Sequence, residues 1–131
     1  MGVSLDGVGQ IRINVKDLAR AVAFYRDVLG TEFLFDVPEQ GIAFLDCGGV
    51  RLFLAAAEPG SGSTTAAVYY RVNGLDRAYE ELAARGVEFT HPPTTVYTLE
   101  DVEGRMAFLE DPEGNTVALM EETPIGADGS G

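Results

Sequence analysis

The chain holds one cysteine, one histidine and no tryptophan, and each scarcity excludes something. A lone Cys47 rules out an intrachain disulfide and a cysteine-cluster metal site. A lone His91 leaves no partner series for a Ser-His-Asp arrangement. Cations are scarce too: 9 Lys and Arg stand against 21 Asp and Glu, a net charge of −12. Binding nucleic acid through its phosphates needs clustered cations, so that partner is not expected. No apolar run approaches membrane-spanning length, and no charged-then-apolar leader opens the chain. The expectation is a chain with no membrane partner in a reducing cytoplasm.

What is present supports a packed domain. Apolar residues make up 46% of 131 positions, enough to argue against disorder. A chain of this length buries about two-thirds of its unfolded surface. It also repeats itself. VKDLARAVAFY at 15–25 returns as VNGLDRAYEEL at 72–82, and Ala43-Phe44-Leu45-Asp46 returns as Ala107-Phe108-Leu109-Glu110. Two similar halves fix the architecture before any one element is assigned.

In the first half, Gln10–Val15 alternates: Gln10, Arg12 and Asn14 on one face, Ile11, Ile13 and Val15 on the other, a half-buried strand. From Leu18 the period changes. Leu18, Ala21, Val22, Tyr25, Val28 and Leu29 form an amphipathic helical stripe, with Asp17 favouring its start and Gly30 its stop. Short strands are predicted at Glu32–Asp36, Ile42–Cys47 and Val50–Ala56. The second half repeats the plan: a strand at Ala66–Val72, a helix stripe of Leu75, Ala78, Tyr79 and Leu82 ending at Gly86, and strands near Val87–Thr90, Arg105–Glu110 and Thr116–Glu121. Thr95–Gly104 reads as a long loop or irregular strand, and Asp111–Asn115 as a turn.

The predicted fold is therefore α+β: two βαβββ modules in a pseudo-twofold arrangement, forming a concave mixed β-sheet groove with helices outside. The whole of 1–131 is read as a single domain. Module one covers about 7–57, a linker about 58–64, module two about 65–123, and a disordered tail 124–131.

VKDLARAVAFYRDVLG (15–30), AFLDCGGVRLFL (43–54), YRVNGLDRAYEELAARGVEF (70–89) and AFLEDPEGNTVALMEE (107–122) cover nearly the whole chain. In these stretches and their order the chain resembles the vicinal oxygen chelate superfamily: glyoxalase I, extradiol dioxygenases, and fosfomycin- and bleomycin-resistance proteins. The resemblance implies a small-molecule site and a homodimer. In metal-using members four strand positions supply ligands, typically His or Gln, Glu, His and Glu. Carried over singly, they fall on Gln10, Phe53, Ala67 and Ala118. Phenylalanine and alanine donate nothing, and a divalent metal wants at least three donors. A slip of one residue meets only Leu52, Leu54, Ala66, Val68, Val117 and Leu119. No metal and no other cofactor is expected.

Other candidates are weak. His91 sits in Thr90-His91-Pro92-Pro93 and reads as a surface or loop-packing histidine. Glu100, Asp101 and Glu103 match no calcium-loop spacing. Cys47 has no evident base and reads as a core or rim thiol. Gly48-Gly49 and the GVGQ of 7–10 lack the strand-to-helix context of a phosphate or dinucleotide loop. No catalytic residue is assigned.

Parity with the ligand positions gives the predicted binding residues: Gln10, Arg12, Asn14, Arg51, Phe53, Tyr69, Arg71, Ala118 and Met120. Apolar walls with a few placed polar groups suit a small organic ligand. The alternative for Arg12, Arg51 and Arg71 is pairing with nearby acids, in a groove filled by its own side chains. The expected function is a metal-independent binder of an organic, aromatic small molecule in a groove at a dimer interface, as the bleomycin-resistance proteins imply. The alternative is a metal-dependent lyase, isomerase or dioxygenase resembling glyoxalase I.

Overall fold

The computed structural model describes residue 3, residues 7–56 and residues 67–125. The chain divides into two compact units, Met1–Thr64 and Thr65–Gly131. In the first, β1 (Gln10–Val15) is followed by α1 (Leu18–Ala23), then β2 (Glu32–Val37), β3 (Ile42–Cys47) and β4 (Val50–Ala56). The sheet order is β1-β4-β3-β2. β1 runs parallel to β4, and the other pairs are antiparallel. Alternation decides which face is buried. Ile13, Val15, Ala43, Leu45, Leu52 and Leu54 are all buried, together with Ala21, Val22 and Tyr25 of the helical segment. Gln10, Arg12 and Arg51, of the opposite parity, are exposed.

The helical stripe is one continuous segment but not one α-helix. Its second half, Phe24–Val28, widens into a π-helical turn, which accommodates two adjacent buried aromatics, Phe24 and Tyr25, packed edge to face at 5.3 Å. Asp17 caps the start as expected, its carboxylate accepting from Arg20 N–H at 3.1 Å.

The second unit has the same plan: β5 (Val68–Arg71), α2 (Leu75–Ala84), β6 (Phe89–Leu99), β7 (Val102–Glu110) and β8 (Thr116–Pro124). Its order is β5-β8-β7-β6, again with the first strand parallel to the last. Leu75, Leu82, Ala107, Leu109, Val117 and Leu119 are buried. The Asp111–Asn115 turn is a closed polar knot. Asp111 Oδ1 accepts from the N–H groups of Glu113 and Asn115, each at 2.8 Å, and its Oδ2 from Asn115 Nδ2 at 2.9 Å. Both modules are thus βαβββ units, and the fold is α+β.

Several expected boundaries move. The stretch expected to be a loop or irregular strand, Thr95–Gly104, is an irregular hairpin: β6 continues through His91, Pro92 and Pro93 to Leu99 and pairs with β7 from Val102, with a register shift between Thr95 and Tyr97. Prolines survive there because β6 is an edge strand with register shifts, where a missing N–H breaks no ladder. β8 runs to Pro124, so the expected tail cannot begin at that residue. The linker at 58–64, Ala66 and the tail from Gly126 lie outside the described residues.

Candidate functional site

Each sheet has one face under its helix and one turned away from it. All nine predicted binding residues have the parity of the second face in their own module. In module one the register aligns Arg12, Phe53, Phe44 and Phe35 as one row across four strands. The rings form a ladder. Phe53 and Phe44 stack at 4.9 Å with an 8° angle, and Phe44 and Phe35 follow at 4.8 Å. The Arg12 guanidinium lies 5.5 Å from the Phe53 centroid, and that of Arg51 lies 5.5 Å from Phe44. Arg12 is oriented by Asn14, whose Oδ1 accepts from its Nε at 3.0 Å. Gln10 stands opposite Arg51 at the end of the same face.

Charge is what this face offers. Asp46 is the register partner of Arg51, yet Arg51 covers a ring instead. Among the described residues none of Arg12, Arg51 and Arg71 makes a salt bridge. The expected alternative, arginines neutralised by neighbouring acids, does not hold there. Phe35 remains 49% exposed, so the ladder has open ring surface.

In module two the corresponding row is Tyr69, Ala118, Phe108 and His91. Tyr69 meets Phe108 edge-on at 6.0 Å, and His91 meets it at 5.8 Å. Ala118 is fully buried, so it is floor and not lining. In the next row Arg71 pairs with Met120, and Met120 with Met106. Arg71 and Met120, with Val72, Asn73, Glu121 and Glu122, line a cleft of about 590 Å³. A cleft of the same volume lies on the helix side of module one, lined among others by Lys16, Val22, Asp36, Pro38 and Ala56. Volume alone therefore does not choose a site.

The sequence reading left out Phe35, Phe44 and Phe108, and it weighed His91 but set it aside as a surface or loop-packing histidine. A signal for two of them was present: the repeated Ala-Phe-Leu-acid motif puts Phe44 and Phe108 at equivalent positions with the right parity. Cys47 is half-buried, and burial, then the neighbouring Asp46, pushes its thiol pKa up, the opposite of what a nucleophile needs.

The four positions at which the resemblance implies metal ligands do not fit a metal here. Phe53 is packed between Phe44 and Arg12, Ala118 is sealed in, and Ala67 is a bare methyl. Of the four, Gln10 alone carries a donor atom. In the strand pairing Phe53 faces Arg12, two residues beyond Gln10, and Ala118 faces Tyr69, two residues beyond Ala67. Among the described residues no three His, Cys, Asp or Glu side chains cluster.

Comparison with known proteins agrees with this architecture. Residues 7–119 match the family model of the Glyoxalase/Bleomycin resistance protein/Dioxygenase superfamily. The Bacillus subtilis protein YraH is 24% identical over 125 residues, covering 86% of this chain and 95% of YraH. A glyoxalase/bleomycin resistance protein/dioxygenase from Nocardioides is similar in structure, with TM-score 0.73 and 27% identity over 96% of this chain and 88% of that one. Lactoylglutathione lyase from Agrobacterium tumefaciens has TM-score 0.73 and 22% identity over 89% of this chain and 94% of its own, a likeness of fold.

Proposed function

Since the chain belongs to the Glyoxalase/Bleomycin resistance protein/Dioxygenase superfamily, we propose that it is a metal-independent binding protein for an aromatic small molecule carrying a negative charge. The ligand stacks on the Phe35–Phe44–Phe53 ladder and is held by Arg12 and Arg51. The proposal includes a cytoplasmic homodimer in which the partner completes the groove, as superfamily members commonly form dimers. The observation that carries it is the pair of arginines resting on rings with no acid among the described residues to neutralise them. A guanidinium over an aromatic face is worth about 0.5–1 kcal/mol at an exposed site, so it is held in place yet free to donate. A carboxylate or phenolate then gains charge-assisted hydrogen bonds from donors already oriented. No described helix is long and apolar enough to cross a membrane.

Fluorescence titration with naphthoate tests this reading, with naphthylmethylammonium as the charge-reversed control. Naphthoate should bind at least about tenfold more tightly than the cation. Arg12→Leu and Phe53→Ala should each weaken it by about tenfold, the second by removing the ring that touches both Phe44 and Arg12. Preference for the cation, or no change in either variant, would sink the reading. Equilibrium dialysis against nickel, zinc, manganese and iron(II) tests metal independence. One metal retained per chain would contradict it.

A further inference from the structure

The turn between β5 and α2 carries the pair Asn73-Gly74, and the backbone itself calls for the glycine. Gly74 has a φ of 93°, a left-handed conformation that a residue with a Cβ adopts only under strain. A glycine in that place leaves the peptide nitrogen after Asn73 unshielded, and the asparagine side chain is then open to attack by its own main chain. The Gly74 nitrogen, once deprotonated, attacks Asn73 Cγ. The new N–Cγ bond forms as Cγ–Nδ2 breaks, and the amide leaves as ammonia, taking up the proton that the backbone lost. The cyclic imide then takes up water and opens to aspartate, or to isoaspartate, in which the main chain runs through the side-chain carbon.

The asparagines of this chain differ in readiness for that step. Asn115 is buried, and its Nδ2 donates to Asp111. Asn14 Oδ1 accepts from Arg12, and branched Val15 follows it in a strand. Asn73 is exposed, beside Arg71, Glu121 and Glu122 in their cleft, and among the described residues its carboxamide has no hydrogen-bond partner. What opposes the reaction is Glu121. Its Oε2 accepts from Gly74 N–H at 2.8 Å, and its Oε1 from Leu75 N–H at 2.9 Å. The N–H that must lose its proton is thus held by a carboxylate. Losing the proton would set two negative groups face to face, so the contact keeps the nitrogen protonated and unreactive.

We propose that Asn73 is a site of spontaneous deamidation, and that the Glu121 carboxylate sets its rate by holding the Gly74 N–H. This chemistry needs no ligand, so it stands apart from the binding reading. The folded protein is incubated at mildly alkaline pH and digested with trypsin, and the peptide 72–77 is followed by mass spectrometry. The free synthetic peptide serves as the unprotected reference. Deamidation in the wild type should be at least about tenfold slower than in the free peptide, and Glu121→Ala should recover most of that difference. Glu121→Gln keeps an acceptor oxygen but loses the charge; it should lie between the two, and it carries the test if the alanine variant does not fold. Leu109→Val trims the buried core of the same module away from this turn, and its Asn73 should react within about twofold of the wild-type rate. Wild-type protein reacting as fast as the peptide overturns the proposal, as do Glu121 variants reacting no faster than the wild type. Equal acceleration by Leu109→Val would assign the rate to general loss of stability and overturn the role of Glu121.

Discussion

Gly104 shows how much one missing side chain can position. It stands opposite Tyr97 in the β6–β7 hairpin, and a Cβ there would collide with the Tyr97 ring. The ring therefore lies flat across β7 and reaches β8, where its hydroxyl donates to Glu122. Gly104→Ala should displace the ring and cost about 1–3 kcal/mol in urea unfolding. In a Tyr97→Ala background the same change should cost much less, because nothing remains to collide with. Additive losses in the double variant would show that the ring is not what Gly104 accommodates. The same contact has a pH signature. Hydrogen bonding to Glu122, with some desolvation and the carboxylate's charge, raises the Tyr97 pKa above 10.0. A pKa raised on folding means the contact supports the fold below the ordinary tyrosine range and is lost as pH rises through the higher native value. Alkaline absorbance titration should show a late-ionising component that is lost in Tyr97→Phe and shifted downward in Glu122→Gln. Unchanged curves would refute the assignment. None of this was legible in the sequence, where Tyr97 falls in a stretch rich in threonine and acids with no clean alternation.

Among the elements, the two helix starts solve one problem in two ways. Asp17 caps α1 from its own N-cap position. The repeat puts Gly74 at the equivalent place, with φ of 93° and no side chain to cap with. The cap comes instead from β8: Glu121 Oε2 accepts from Gly74 N–H at 2.8 Å and Oε1 from Leu75 N–H at 2.9 Å. A carboxylate at a helix N-terminus satisfies orphan donors and complements the dipole. Glu121→Ala should lower stability by about 1–2 kcal/mol, and Gly74→Asp should not restore it, since that φ is strained for an aspartate. Full rescue by Gly74→Asp would mean the carboxylate's origin is immaterial. Sequence reasoning found Asp17 because a local cap is written next to its helix. It could not find Glu121, which lies 46 residues from Leu75. The bounds of β3 and β4 were legible for a related reason: glycine turns punctuate them. β6 was not, because two prolines imitate a break that an edge strand tolerates.

At the scale of the whole chain, duplication was the most legible property, since two helix-opening phrases and two strand phrases repeat in order. Period two sorted the residues into two faces, and the ligand positions implied by the resemblance chose between them. What the sequence did not disclose is where arginine charge goes: Arg51 could as well have met Asp46, and its side chain packs on Phe44 instead, with no salt bridge among the described residues. That local charge sits in a chain of net −12, and the two fields respond differently to salt. Dispersed carboxylates repel an approaching anion over distances that about 0.15 M salt screens within roughly 8 Å. A guanidinium touching a carboxylate acts well inside that length and keeps more of its attraction. Raising salt from about 0.01 M to about 0.15 M should therefore strengthen naphthoate binding by a factor of a few, and weaken any binding of naphthylmethylammonium. A steady loss of naphthoate affinity over that range would mean that the contact charges are themselves the screened ones, and that Arg12 and Arg51 do not hold the anion against the rings.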